Sequence, residues 1–185
     1  MSRLADFLDF LLQYNVKINL VSRRLSLEDL NLLADETDMV ERLIGNDLIV
    51  DIGSGNGLLG IPIAIARPAS RVFLVESIGK KCHFLKEAKK AFLLKNVEIY
   101  HGSIDEFIFS QRGFNGSAVS RGFPRPDRLF SMLKAKMFPE LILVTSRNKA
   151  KKIVAGLENL KPTIYNIPWR DQLIILKATF VSRET

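Results

Sequence analysis

Cysteine and histidine are scarce in this sequence. The 185 residues contain one cysteine, Cys82, and two histidines, His83 and His101. A single cysteine excludes a disulfide within the chain. The usual zinc and iron sites draw several ligands from cysteine and histidine, so we expect no metal site.

Long apolar runs are also absent from the sequence. No run approaches the roughly 20 residues of a membrane span, and Asp6 and Asp9 interrupt the segment where a signal peptide would carry its apolar core. We therefore expect a cytosolic protein with no membrane association. A length of 185 residues suits a single domain, residues 1–185, which we expect to be a monomer.

The charge of the sequence is strongly one-sided. The formal net charge is +7 and the isoelectric point is about 9.6. Such an excess is compatible with a polyanionic partner such as nucleic acid, although many small basic enzymes bind none. Charge alone therefore leaves nucleic-acid binding open.

The order of helical and strand patterns predicts an α/β fold. Residues 1–45 are expected to form a helical N-terminal extension, whose second helix is capped by Ser26 and Asp29. Residues 46–185 alternate strands and helices, which predicts a Rossmann-like, mostly parallel seven-stranded sheet with helices on both faces. A closing hairpin would add one antiparallel strand. The predicted strands are 48–50, 71–75, 97–100, 117–120, 140–145, 163–167 and 172–179, and the predicted helices of this core are 58–67, 79–95, 104–109, 127–137 and 149–160.

A dense group of glycines follows the first predicted strand, at the place where open α/β sheets bind ligands. Gly55, Gly57 and Gly60 spell G-x-G-x-x-G, the dinucleotide fingerprint. Together with Asp51, the glycines at 53, 55 and 57 spell D-x-G-x-G-x-G, the pattern of S-adenosylmethionine sites. The loop therefore suits either of two cofactors.

Asp51 distinguishes between these cofactors. A carboxylate beside the loop would repel the pyrophosphate of a dinucleotide, whereas S-adenosylmethionine carries an ammonium and a sulfonium and has no phosphate. Glu76, at the end of the second predicted strand, suits the ribose of either cofactor. We therefore predict an S-adenosylmethionine-dependent methyltransferase with Asp51, Gly53, Gly55, Gly57 and Glu76 in the cofactor site.

Three features bear on the methyl acceptor. Residues 166–169 (NIPW) have the form of a motif used to methylate exocyclic amino groups, but they follow the sixth strand, so we interpret them as a hairpin turn. Cys82 lies on a crossover helix, and we expect it to have no catalytic role. Arg121, at the end of the fourth strand, is expected to point into the site and hold the cofactor carboxylate or a substrate phosphate.

The sequence shows no evident general base that would remove a proton from the methyl acceptor. Guanine N7 is an acceptor that would need none. That atom has a free lone pair and no proton, so in-line transfer requires only positioning and a suitable electrostatic environment. Basic residues beside the cofactor end of the sheet could contact RNA phosphates. The candidates for that contact are Lys80, Lys81 and Arg125.

Four stretches of the sequence together resemble one family of RNA-modifying enzymes. They are residues 14–22 (YNVKINLVS), 50–68 (VDIGSGNGLLGIPIAIARP), 74–85 (LVESIGKKCHFL) and 119–123 (VSRGF). The glycine loop followed by Gly-Ile-Pro, with Glu-Ser followed by Gly-Lys-Lys, is similar to the bacterial small-subunit (16S) ribosomal RNA guanine-N7 methyltransferases, also called glucose-inhibited division protein B. The similarity runs from about Leu8 to Phe123.

The resemblance implies methyl transfer from S-adenosylmethionine to N7 of one guanine in a hairpin loop of small-subunit RNA. It also implies that the partner is 16S ribosomal RNA or the small ribosomal subunit. The family's cofactor contacts would fall on Gly53, Leu58, Glu76, Ile104, Asp105 and Arg121.

The sequence departs from the family mainly on the acceptor side. The second N-terminal helix of the family usually carries Arg-His and then Asp-Ser, where residues 32–33 are Leu-Leu and residues 36–37 are Glu-Thr. Ser103 replaces an arginine, Gly122 replaces an alanine, and residues 146–148 replace a lysine-glycine turn. Two alternatives therefore stay open: a methyltransferase of another RNA or a small molecule, and a non-catalytic RNA-binding protein that retains the fold.

Overall fold

The computed structural model describes residues 3–18, 20, 26–111, 114–134, 137–155 and 162–179. The strands in these ranges are β1 (Leu48–Ile52), β2 (Arg71–Glu76), β3 (Val97–His101), β4 (Ser117–Arg121), β5 (Glu140–Ser146), β6 (Thr163–Asn166) and β7 (Leu173–Thr179). The helices are α1 (Arg3–Asn15), α2 (Leu27–Leu43), α3 (Gly60–Ala66), α4 (Gly79–Ala91), α5 (Ile104–Ser110), α6 (Pro126–Lys134) and α7 (Arg147–Val154).

The strands form one seven-stranded sheet in the order β3-β2-β1-β4-β5-β7-β6. The first five strands are parallel, β7 is antiparallel to β5, and β6 is antiparallel to β7. The prediction of a mostly parallel sheet closed by a hairpin is therefore confirmed. The direction of winding reverses between β1 and β4, and ligands of open α/β sheets bind at the carboxyl ends of strands beside such a reversal.

Short sequence signals explain where several of these elements begin. At the start of α2, the Ser26 hydroxyl accepts a hydrogen bond from the Asp29 amide at 3.1 Å. The Asp29 carboxylate in turn accepts from the Ser26 amide at 2.9 Å, which completes the predicted capping box. Pro62 lies in the first turn of α3, where its missing N–H breaks no helical hydrogen bond.

Two helices are shorter than the sequence predicts. Helix α4 ends at Ala91 rather than residue 95, because Leu93 has a φ of 51° that no right-handed helix contains. Helix α3 begins at Gly60 rather than residue 58, because residues 58 and 59 belong to the loop that precedes it. Helices α6 and α7 begin at Pro126 and Arg147 rather than at residues 127 and 149, and Met137 and Ala155 lie outside them. The remaining predicted helical residues, 135–136 and 156–160, lie outside the described residues.

The core consists of one apolar cluster on each face of the sheet. Val72 and Leu74 of β2 pack into a cluster with α1 to α4, whereas Phe73 and Val75 pack into a cluster with α5 to α7. This alternation follows from the two-residue period of side chains along a strand. Both faces of the sheet are therefore covered, and its carboxyl-terminal edge remains for a ligand.

Candidate cofactor site

The loop between β1 and α3 has a backbone that demands glycine. Gly53, Gly55 and Gly57 have φ values of 71°, 58° and 72°, in the left-handed region that costs other residues about 1–2 kcal/mol each. The amide of Gly53 donates to the carbonyl of Val75 at 2.9 Å, which ties the loop to the end of β2. The alternating glycines therefore produce a sharply turned, anchored loop at the edge of the sheet.

Asp51 is buried beneath this loop and supports the start of α3. Its Oδ2 accepts a hydrogen bond from the Gly60 amide at 3.0 Å. A Cβ at Gly60 would lie 2.2 Å from Leu74 Cδ2 and 2.7 Å from that Oδ2, so glycine is required there by lack of space. Burial raises the pKa of Asp51 to about 7, and the nearby Glu76 charge contributes in the same direction. A cation placed beside Asp51 would favour its ionised form.

Glu76 joins the loops that follow β1 and β2. Its Oε2 accepts from the Gly55 amide at 2.9 Å, and its Oε1 accepts from the Ile78 amide at 2.8 Å. The side chain is buried, and each carboxylate oxygen keeps a further lone pair. Glu76 is therefore held in one orientation and can still accept hydrogen bonds from ribose hydroxyls.

These elements surround a cavity of about 470 Å³ at the carboxyl ends of β1, β2 and β4. The volume lies in the range of small-molecule sites. Its walls come from the glycine loop, the ends of the three strands, the start of α4, the segment from the end of β4 to the start of α6, and Leu20, which lies between α1 and α2. The lining residues are Leu20, Asp51, Gly53, Ser54, Gly55, Asn56, Leu58, Leu59, Glu76, Ser77, Ile78, Lys81, Arg121, Gly122, Phe123, Pro124, Arg125 and Arg128.

The N-terminal segment forms part of this wall through Leu20. Its amide donates to Asn15 Oδ1 at 2.7 Å, and its carbonyl accepts from Asn56 Nδ2 at 3.4 Å. The first hydrogen bond fixes Leu20 to the end of α1, and the second fixes it to the glycine loop. Leu20 therefore belongs to the wall of the cavity, whereas α1 and α2 cover one face of the sheet.

Arg121 lies at the end of β4 and pairs with Glu36 of α2. Its Nε donates to Glu36 Oε1 at 2.5 Å, across 85 residues of sequence. The Glu36 side chain is 1% exposed, whereas that of Arg121 is 33% exposed. The next residue, Thr37, has its hydroxyl 2.9 Å from the carbonyl of Leu58 in the loop. Glu36 and Thr37 thus link α2 to two walls of the cavity.

The structure brings most of the predicted cofactor residues together. Asp51, Gly53, Gly55, Leu58, Glu76 and Arg121 line the cavity, and Gly57 is buried in the same loop. Ile104 and Asp105 do not line it: Ile104 packs in the core, and the exposed Asp105 pairs with Arg128, which does line the cavity. Of the candidate RNA contacts, Lys81 and Arg125 line the cavity, whereas Lys80 is exposed on the first turn of α4.

The NIPW segment and Cys82, which the sequence analysis excludes from catalysis, are not among the residues that line the cavity. The NIPW segment lies between β6 and β7, and the indole nitrogen of Trp169 donates to the carbonyl of Leu32 at 3.3 Å. Cys82 is buried on α4, with its sulfur 3.1 Å from the carbonyl oxygen of Glu76. Burial raises the pKa of the Cys82 thiol, which makes it a poorer nucleophile at neutral pH.

Several residues that line the cavity, or that hold a residue that does, are not identified by the sequence analysis. Ile78 and Phe123 follow Glu76 and Arg121 closely, so their position just beyond two parallel strands is the signal that could have identified them. The ring of Phe123 lies against the loop, 3.3 Å from where a Cβ on Gly53 would stand. Glu36 has no such signal, because its partner is remote in the sequence.

Across the ranges that the structure describes, no helix is long and apolar enough to cross a membrane. Within the same ranges, no three His, Cys, Asp or Glu side chains are grouped so that they could hold a metal ion. The polar groups that line the cavity include carboxylates, backbone amides and basic side chains.

Known proteins resemble this chain in sequence. Residues 1–159 match the family model described as GidB, rRNA small subunit methyltransferase G. The ribosomal RNA small subunit methyltransferase G of Nitrosospira multiformis is 41% identical over 122 residues, which are 66% of this chain and 56% of that protein. The protein of the same name from Legionella pneumophila is 37% identical over 128 residues, which are 68% of this chain and 60% of that protein. The chain thus spans less than two thirds of these relatives.

A solved structure extends the likeness to the fold. The O-methyltransferase from Bacillus cereus in complex with SAH has a TM-score of 0.66 at 14% identity, covering 94% of this chain and 90% of that one. This likeness confirms the predicted Rossmann-like fold. The match to the family model covers most of the sequence, so the chain belongs to the GidB family.

Proposed function

We propose that this member of the GidB family transfers a methyl group from S-adenosylmethionine to N7 of a guanine in 16S ribosomal RNA of the small subunit. The observation that carries the proposal is the cavity at the ends of β1, β2 and β4, where a glycine loop and two buried carboxylates meet Arg121. Membership of the family supports guanine N7 of this RNA as the acceptor, and the residues of the cavity support S-adenosylmethionine as the cofactor.

The residues of the cavity fit S-adenosylmethionine better than a dinucleotide. Asp51 and Glu76 both line it and both are buried, so a pyrophosphate there would meet two carboxylates. A ligand with an ammonium and a sulfonium meets attraction instead. Glu76 would hold the ribose hydroxyls, and Asp51 with Gly53 would face the positively charged end. When bound, this cofactor supplies a methyl group on a positively charged sulfur, ready for attack by a lone pair.

The chain's own residues would then act by positioning. Asp51 and Glu76 are occupied in holding backbone amides, and neither histidine nor cysteine is among the residues that line the cavity. An acceptor atom without a proton, such as guanine N7, suits walls of this kind because no base has to remove one. Arg121, fixed by Glu36, presents its remaining guanidinium hydrogens at the end of β4.

A basic rim supports a nucleic acid as the acceptor. Lys81, Arg125 and Arg128 lie at the mouth of the cofactor cavity, and the whole chain carries a net charge of +7. Arg125 forms a salt bridge with Asp127, and Arg128 forms one with Asp105. Of the three basic residues, Lys81 alone has no salt bridge to a described residue. We place the reaction in the cytoplasm, on small-subunit RNA.

The first test is a calorimetric titration of the purified protein with S-adenosylmethionine. Binding at a single site is expected, and the Glu76→Gln variant should bind more weakly. An absence of binding would contradict the enzyme assignment and favour an RNA-binding protein that retains the fold.

The second test maps N7-methylguanine in small-subunit RNA from cells with and without the gene. One modified guanine should disappear on deletion and return on complementation. If the modification is unchanged while cofactor binding is normal, the acceptor is a different RNA or a small molecule.

A further inference from the structure

A second, smaller cavity lies directly beside the cofactor cavity. It has a volume of about 200 Å³ and is formed by the ends of β4 and β5, the start of α7 and Leu173 of β7. The two cavities share Arg121 and Gly122 as lining residues. An occupant of the smaller cavity would therefore be a direct neighbour of the cofactor.

Each polar side chain that lines the smaller cavity can donate a hydrogen bond. Arg121 and Lys149 are cationic, and Thr145 and Ser146 contribute hydroxyl groups. Val144 and Leu173 are apolar, and no acidic residue is among those that line the cavity. Such walls favour a compact anion with several oxygen atoms, which describes a phosphate diester.

Lys149 supplies the charge that is available to such an anion. The charge of Arg121 is already balanced by Glu36, whereas Lys149 is exposed and forms no salt bridge with any described residue. The neighbouring Arg147 is differently placed, since it donates to the carbonyl of Asp171 at 2.5 Å and to Asn166 Oδ1 at 3.0 Å. Arg147 thus holds the β6–β7 turn, and Lys149 is left for a ligand.

Gly122 leaves the wall between the cavities open. It has a φ of 66°, and a Cβ built on it would meet no heavy atom of the described residues within 4 Å. A side chain at this position would protrude into that space. A group in the smaller cavity can therefore extend past Gly122 towards the cofactor cavity.

We propose that the smaller cavity binds a backbone phosphate of the acceptor RNA next to the acceptor nucleotide, with Lys149 as its principal ligand. Arg121 is the second donor, and the base of the same nucleotide extends past Gly122 towards the cofactor. This inference rests on the proposed function and names the RNA contact of that same site.

The test measures binding of small-subunit RNA that lacks N7-methylguanine to the full chain, over a series of salt concentrations. Lys149→Ala is compared with Lys152→Ala, since both remove one positive charge from α7 but Lys152 does not line the cavity. One lost phosphate contact on single-stranded RNA makes the slope of log affinity against log salt less negative by about 0.7. At 0.1 M salt this corresponds to a loss of about fivefold in affinity.

We expect that loss for Lys149→Ala, less than about twofold for Lys152→Ala, and recovery in Lys149→Arg. Calorimetry should show the same affinity for S-adenosylmethionine in all three variants. Equal losses in Lys149→Ala and Lys152→Ala, or no loss in either, would overturn the inference and leave the proposed function standing. If the unaltered protein binds the cofactor but not the RNA, the proposed function fails and this inference fails with it.

Discussion

Replacing Arg121 by methionine should separate what this residue does for the fold from what it does for the reaction. In the folded protein the guanidinium is the only hydrogen-bonding partner of the Glu36 carboxylate among the described residues, since Oε2 of Glu36 has none there. Glu36 is 1% exposed, so water cannot replace the lost partner easily. Arg121→Met therefore leaves a buried, unpaired carboxylate while keeping most of the aliphatic stem.

The cost can be worked from burial. Breaking a fully buried ion pair by removing one partner costs about 3–5 kcal/mol. Because the Arg121 side chain is 33% exposed, solvent already screens part of the pair, and we expect a loss of about 2–3 kcal/mol in the free energy of unfolding. The double variant Glu36→Leu with Arg121→Met removes the stranded charge as well, so its stability should return to within about 1 kcal/mol of the original.

Urea unfolding measures the stability of each variant, and transfer of a labelled methyl group to small-subunit RNA measures its activity. Both variants should be nearly inactive although only the single variant is unstable. If Arg121→Met were as stable as the unaltered protein, the buried pair would not exist as described. If the double variant recovered methyl transfer, Arg121 would serve only to neutralise Glu36.

Three further substitutions probe the cofactor cavity. Gly60→Ala should lower the free energy of unfolding by about 1–3 kcal/mol and weaken cofactor binding in calorimetry, because the added Cβ would lie 2.7 Å from Asp51 Oδ2. Gly79→Ala is the matched control, since its Cβ would meet no atom closer than 3.6 Å. The control should change neither stability nor cofactor binding. The pKa of Asp51 is raised to about 7 in the folded state, which is above the pKa of a carboxyl in the unfolded chain. Protonation of Asp51 therefore stabilises the folded state, and this contribution is complete at acid pH and is lost as pH rises through 7. The free energy of unfolding should therefore fall by about 2–3 kcal/mol more between pH 5 and pH 8 in the unaltered protein than in Asp51→Asn, and equal pH dependence would contradict this description of Asp51. Glu76→Gln should weaken S-adenosylmethionine binding by about tenfold or more, because a hydrogen bond to a charged acceptor contributes about 1.5–3 kcal/mol. An unchanged dissociation constant would show that Glu76 does not contact the cofactor.

The parts of the site that the sequence predicts are those encoded within a few residues of each other. Three features form local patterns that can be interpreted from parallel-sheet geometry alone: the strand that contains Asp51, the alternating glycines and the acid that ends β2. The capping box at Ser26 is equally local, and it correctly predicts the start of α2. The order of strands and helices then suffices for the layout of the sheet.

The parts that the sequence does not predict depend on contacts between distant segments or on single backbone torsions. Glu36 could not be assigned to the site because no pattern in the surrounding sequence indicates that its partner is Arg121, 85 residues away. Leu20 forms a wall only because Asn15 and Asn56 hold its backbone from two different elements. The early end of α4 follows from one left-handed torsion at Leu93, a residue type that gives no warning of it.

Transfer of the methyl group in a purified system tests the central claim most directly. The protein is incubated with S-adenosylmethionine carrying a labelled methyl group and with small ribosomal subunits, or their RNA, from cells that lack the gene. Chemical cleavage at N7-methylguanine then locates the product. The account predicts label at N7 of one guanine in the small-subunit RNA, and almost none with the double variant at Glu36 and Arg121. Cofactor binding without label in that RNA, or label on another atom, would contradict it.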